Sequence, residues 1–235
     1  MTEIKLEERI AVALAKLILD PSAPPARHIA VGAASPMPAA ACWLVKKQGN
    51  PVRLSLLHKR SGNPFTEGTR ELFDLTGQGR IDLFFLGGGQ IDGSANLNLV
   101  GTGEWPGMGV RFPGSFGSAF MYFMTPRTIL FREEHTPRVF VEKVDNISAP
   151  GVSPPGVFRF HPDRARFSLE SVHPGETVES VREATGFAFD VTGDVPFTPD
   201  PTAEELALLR GPICDEMMET YPEFCARVFG RKQAA

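Results

Sequence analysis

The 235-residue chain is 42% hydrophobic and carries 24 basic against 28 acidic residues, a formal net charge of −4. That is apolar material for a full core in one domain spanning residues 1–235, and the scattered basic residues lack the electrostatic footprint of a nucleic-acid binder. Lys46-Lys47 and His58-Lys59-Arg60 are the only compact basic spots, and each reads as solvated surface.

Thr2–Asp20 has helical spacing in Leu6, Ile10, Ala13, Leu14, Leu17 and Ile18, and Pro21 ends it. Its apolar stretch Ile10–Leu19 is too short to span a bilayer. Glu3, Glu7 and Glu8 precede it where a signal peptide would be basic, so the expectation is a cytoplasmic protein without membrane attachment. Ile29–Val31 reads as a strand, Pro38–Lys47 as a helix, Val52–Leu57 as a second strand and Thr69–Leu75 as a helix stopped by Gly77 and Gly79. Ile81–Leu86, almost wholly apolar, is a third strand of the kind buried in parallel sheets.

That strand runs into Gly87-Gly88-Gly89-Gln90-Ile91-Asp92, and a second glycine cluster follows at Gly114-Ser115-Phe116-Gly117. Glycines beyond a strand's carboxyl end leave backbone N–H groups open to a carboxylate, thioester oxygen or phosphate; a tight turn without ligand is the plain alternative. Phe112, Phe116, Phe120, Tyr122 and Phe123 form an aromatic cluster that reads as core packing or as the lining of an acyl pocket.

Arg127–Arg132 and Arg138–Val144 read as strands, Asn146–Pro162 as an irregular proline-rich stretch and Phe167–Val172 as a strand. Val178–Ala184 is a helix with Gly186 as its C-terminal cap. Thr202-Ala203-Glu204-Glu205 is a capping box opening a helix closed by Gly211-Pro212, and Asp215–Phe229 a last helix. The alternation in the first half implies right-handed crossovers and an open, largely parallel α/β sheet flanked by helices.

Spacing excludes several chemistries. Counting G-x-G-x-x-G from Gly87 puts Asp92 at the third glycine, and turn residues Gly93–Asn96 follow where a helix should open. There is no G-x-x-x-x-G-K-[ST], H-E-x-x-H or G-x-S-x-G. The five histidines have no metal-ligand spacing, so no metal or bound cofactor is expected. Cys42, Cys214 and Cys225 form no C-x-x-C pair and suit a reducing compartment rather than a disulfide framework.

Phe85–Gly93 with Asn96 and Asn98 resembles the G-G-x-Q-I-D-x-x-G-N-x-N stretch of class I coenzyme A transferase β subunits, particularly the glutaconate type. Arg111–Gly117 resembles that family's next glycine loop. Val141–Asp145 with Ser148-Ala149-Pro150-Gly151 resembles its following strand and S-P-G turn. His173-Pro174-Gly175, Val181–Phe187 and Pro201–Leu206 are similar to its tail. The resemblance implies a CoA-transferase-like fold and a hetero-oligomer with a homologous α subunit, acting on acyl-CoA. Gly88, Gly89, Gly114 and Gly117 match its oxyanion and CoA-binding loops, with Gln90 as a polar contact. In such transferases a glutamate carboxylate attacks the thioester and glycine-loop amides stabilise the oxyanion.

One departure bears on the reaction. The glutaconate-type nucleophile closes the strand matched by Val52–Leu57, but here Leu57-His58-Lys59-Arg60-Ser61-Gly62 follows, with no carboxylate. Glu67, before Gly68, is the nearest candidate nucleophile, and a surface turn is its plain alternative. A branch of the family that opens rings in steroid catabolism lacks this glutamate. The chain is similar to that branch in Arg138–Glu142, His173–Gly175 and Ala184-Thr185. Hydrolytic or ring-opening action is therefore expected, with CoA transfer or a non-catalytic scaffold subunit as the alternatives.

Overall fold

The computed structural model describes residues 3–150 and 158–231, which form two compact units, Met1–Phe85 with Pro199–Ala235 and Leu86–Thr198. The first unit opens with α1 (Leu6–Ile18), whose buried residues include Ala11, Leu14, Ala15 and Ile18. β1 (His28–Val31) leads into α2 (Pro36–Lys47), where Pro36 and Pro38 start the helix at positions that need no amide donor. β2 (Arg53–Leu56), α3 (Thr69–Gly77) and β3 (Leu83–Leu86) follow; Leu86 already belongs to the second unit. β1 lies between the other two strands, parallel to β2 from His28↔Arg53 to Val31↔Leu56, and parallel to β3 at Ile29↔Leu83 and Ala30↔Phe84. β1 and β3 are buried along their whole length, as their unbroken apolar runs require. The expected parallel α/β sheet flanked by helices is the observed one.

One polar pair sits inside this sheet. His28 Nδ1 lies 3.0 Å from Arg80 O, which can only accept, so the ring proton is on Nδ1 and Nε2 accepts from the buried Ser55 hydroxyl at 2.7 Å. Burial, with Arg53 beside it, pushes the His28 imidazole below its ordinary range.

The second unit is built from short pairings. β4 (Gln90–Ile91) and β5 (Leu97–Asn98) form an antiparallel hairpin, and β6 (Gly101–Thr102) pairs antiparallel with β7 (Val110–Arg111). After α4 (Ser118–Met124) and β8 (Arg127–Leu130), an antiparallel pair β9 (Phe158–His161) and β10 (Arg166–Leu169) precedes α5 (Val178–Ala184). β9, β10 and the segments beside them pool Phe158, Phe160, Phe167, Leu169, Val172 and Phe189 into a core, with Phe158–Phe189 and Phe160–Phe167 ring centroids each 4.9 Å apart.

The chain then returns to the first unit. α6 (Ala203–Leu208) starts at the expected capping box, with Thr202 Oγ1 accepting from Glu205 N and Glu205 Oε2 from Thr202 N at 2.7 Å. A π-helical turn, Leu209–Ile213, carries the kink at Gly211 into α7 (Cys214–Met217), and α8 (Pro222–Phe229) closes the described chain. Glu8, fully buried on α1, accepts from Arg210 Nε at 2.6 Å and Nη2 at 2.7 Å, tying the two segments of this unit.

Four expected elements differ. Arg138–Val144 is no strand: the amides of Val139 and Phe140 both turn back to the Thr136 carbonyl, at 2.9 and 2.8 Å, leaving one isolated bridge between Phe140 and Ile91. The final helix is two, since Pro222 forces Tyr221 out of helical geometry to φ −133°, ψ 54°. Gly186 is not a left-handed cap; its amide donates to Phe140 O at 2.6 Å, and a Cβ there would meet that oxygen at 2.5 Å. The irregular stretch Asn146–Pro162 contains β9, and Gly151 of the S-P-G turn lies outside the described residues.

Candidate functional site

The first glycine loop is held from behind by the polar residues of its own motif. Gln90 is buried, and its Oε1 accepts from Asn98 Nδ2 at 2.7 Å and from Asp145 N at 3.0 Å. Asn98 is wholly buried; its Oδ1 accepts from Val100 N and Gly101 N, and its Nδ2 also reaches Gly101 O at 2.7 Å. Asp92 Oδ1 caps the β4–β5 turn by accepting from Ser94 N and Asn96 N, while Asp145 Oδ2 accepts from Gly103 N at 2.7 Å. Gln-Ile-Asp and Asn-x-Asn thus form a scaffold that sets the shape of the glycine turns. Gln90 faces the protein, not solvent.

The glycines themselves differ. Gly89 N–H donates to Asn98 O at 2.9 Å, and a Cβ on Gly89 would fall 2.2 Å from the Phe112 ring. That close approach brings the two glycine stretches together, since Phe112 precedes Gly114 by two residues. Gly88 is buried and its Cβ would meet Gln90 O at 2.9 Å; its amide has no hydrogen-bond acceptor among the described residues. Gly114, at φ +94° and exposed, has open space around its Cβ position and likewise no acceptor for its amide among the described residues. Gly117 is buried and caps α4, its carbonyl accepting from Met121 N at 2.9 Å. Of the Gly88 and Gly114 amides, the one on exposed Gly114 is open to solvent, while the one on Gly88 is buried.

The aromatic cluster splits into two roles. Tyr122 and Met121 are buried, and the Tyr122 hydroxyl donates to Ala95 O at 3.0 Å. Phe120 and Phe123 on α4 are 42% and 68% exposed, and Phe116, just before the helix at φ +45°, is 85% exposed. Trp105 is 63% exposed, with the Arg111 guanidinium 4.9 Å from its ring centroid. A run of exposed aromatics on one segment is the kind of patch that marks an interaction surface.

Glu67 and the turn after β2 belong to the first unit. Glu67 stands exposed before α3, its carboxylate 3.5 Å from Arg70 and its amide donating to Glu71 at 3.1 Å. A hydrated carboxylate beside a guanidinium lacks the desolvation that activates a nucleophile. In the turn after β2, Lys59 Nζ pairs with Glu216 at 2.8 Å, and Lys47 Nζ reaches the same carboxylate at 3.2 Å. Glu219 accepts from Arg60 N at 2.7 Å, Ser61 N at 3.0 Å and the Ser61 hydroxyl. The hydrogen bond from Lys59 holds the Glu216 carboxyl below the usual range, and those from Ser61 do the same for Glu219.

Sequence reading missed Asp145, Glu216 and Glu219. Each acts on residues 42 to 169 positions away, and no local spacing signals such a partner.

No protein-family model matches the chain. It is 32% identical over 154 residues to a subunit of the 3-oxoadipate CoA-transferase of Pseudomonas knackmussii, covering 56% of this chain and 58% of that protein. It is 32% identical over 165 residues to the cholesterol ring-cleaving hydrolase IpdB subunit of Rhodococcus jostii, covering 60% and 62%. The match thus spans less than two thirds of these relatives' own length. The solved structure of the decarboxylase AibA/AibB shares the fold, with a TM-score of 0.76 at 22% identity over 88% of this chain and 94% of that one. Over the matched stretch the chain is similar in sequence to these CoA-transferase and hydrolase subunits, and over most of its length it shares the fold of AibA/AibB.

Proposed function

We propose that this chain is the β-type half of a two-subunit enzyme that acts on an acyl-CoA thioester by hydrolytic or ring-opening chemistry rather than by moving CoA between acids. The turn after β2 carries the argument. Transfer through this family's anhydride needs a carboxylate nucleophile, and Leu57-His58-Lys59-Arg60 offers none where the resemblance places it. Glu67, the candidate that a shifted pairing would supply, is a solvated turn residue next to Arg70. The attacking water and its acid–base group are then a task for the α-type partner. The amides of Gly88 and Gly114 are the oxyanion donors this chain contributes.

The exposure of the Phe123 and Trp105 side chains, 68% and 63%, supports a partner surface there. Phe112 against Gly89 suits an apolar or ring-bearing acyl group.

The test is turnover by the chain co-purified with an α-type subunit, supplied with an acyl-CoA with and without acetate. Free thiol released at a rate indifferent to acetate, and retained in Glu67→Gln, is the expected result. Acetyl-CoA formation that disappears in Glu67→Gln would reverse the assignment to a transferase.

A further inference from the structure

The two basic spots of the sequence, twelve residues and more apart, meet on one ring. Lys46, Lys47 and Lys59 place their ammonium groups 5.4, 5.6 and 4.8 Å from the centroid of Trp43, all within the reach of a cation–π interaction. Lys46 and Lys47 lie in the last turn of α2, one turn beyond Trp43, where the helix's negative end adds to the attraction. Lys59 arrives from the turn after β2, at the carboxyl edge of the parallel sheet, where open α/β sheets take their ligands.

The acids do not balance this spot. Glu216 alone accepts from two of the three ammoniums, and Lys46 has no carboxylate partner among the described residues. Glu219 lies near Lys59 and adds a second negative charge, its oxygens bonded to the amides of Arg60 and Ser61 and to the Ser61 hydroxyl; two carboxylates still fall short of three lysines and Arg60. His58 and Arg60 add exposed basic side chains to the same turn. The buried Trp43 Nε1–H has no acceptor among the described residues. In a chain of net charge −4, ammonium groups gathered on one indole repel one another and await a multivalent anion.

We infer that Lys46, Lys47 and Lys59, seated on Trp43, form a phosphate-binding site. Resting on the acyl-CoA reading above, its occupant is a phosphate of the CoA moiety; free pyrophosphate shares the chemistry. Trp43 fixes the three stems and Glu216 sets the spacing of two heads, leaving Lys46 to close on the ligand.

The experiment is isothermal titration of the full chain with pyrophosphate and with CoA, comparing wild type with Lys46→Gln/Lys47→Gln, both residues exposed and removable without touching the core. Pyrophosphate binding weakened about tenfold or more in the double variant, and weakened by added salt, is expected. A parallel loss for CoA identifies the coenzyme as the source; CoA binding unchanged while pyrophosphate binding is lost keeps the site and assigns it to a free anion. No pyrophosphate binding, or binding equal in both proteins, overturns the site. Failure of the acyl-CoA reading registers separately, as an absence of thioester turnover with pyrophosphate binding intact. Lys59→Gln serves as a second variant, with the urea midpoint measured alongside to separate lost binding from lost folding.

Discussion

Replacing Gln90 by methionine keeps the length and bulk of the side chain and deletes its oxygen. Two hydrogen bonds go with it, from Asn98 Nδ2 at 2.7 Å and from Asp145 N at 3.0 Å. Asn98 keeps its bond to Gly101 O, but the Asp145 amide is left without an acceptor. Each neutral bond is worth about 1 kcal/mol net and an orphaned, partly buried donor about 1 kcal/mol more, so the loss comes to about 2–3 kcal/mol. The damage should pass through Asp145, whose carboxylate holds Gly103 N at 2.7 Å, and so loosen the strand pair next to the second glycine loop. Equilibrium urea unfolding reads the magnitude, and a double-mutant cycle with Asn98→Ala tests whether the two residues act as a unit. Turnover of the two-subunit enzyme should fall alongside stability. A change below about 0.5 kcal/mol in Gln90→Met, within the range of ordinary surface substitutions, would show that the scaffold account of the motif is wrong.

Three further outcomes follow from the same geometry. Glu8→Ala removes a fully buried carboxylate and two charge-assisted bonds at 2.6 and 2.7 Å from Arg210, whose guanidinium stays partly solvated and bonded to Glu3 O; a loss of about 1–3 kcal/mol is expected on urea unfolding, and a midpoint equal to wild type would refute the pairing. Gly186→Ala puts a methyl 2.5 Å from the backbone oxygen of Phe140, and since backbone has little freedom to yield, a loss of about 1–3 kcal/mol is expected, checked by thermal melting. The pH dependence takes its sign from the histidines. Burial lowers His28, and burial with His173 nearby lowers His135. The unfolded chain takes up these protons near their ordinary pKa while the fold resists them. Stability is therefore full above about pH 6.5 and falls as pH drops toward the folded values. His28→Gln should flatten part of that fall, and a urea midpoint constant from about pH 7.5 to about pH 5.5 would contradict it.

What sequence determined by itself was local. The run Ile81–Leu86, the helical spacing of α1 and the Thr202–Glu205 capping box each contain within a few residues the pattern that makes them, so the parallel sheet and its helices were legible. The glycine turns were legible for the same reason, since the turn residues Gly93–Asn96 rule out a helix opening there.

Tertiary structure decided everything that depends on a distant partner. The alternation in Arg138–Val144 suited a strand, yet the amides of Val139 and Phe140 turn back to the Thr136 carbonyl and leave one bridge to Ile91. The aromatic cluster carried no sign of which rings would be buried; the packing of α4 put Tyr122 inside and left Phe116, Phe120 and Phe123 outside. Lys46, Lys47 and Lys59 looked like ordinary solvated charges until the return of β2 set them on one indole. Periodicity and capping act over single turns of chain, whereas hydrogen-bond partners and charge neighbours are set by which elements the hydrophobic core brings side by side.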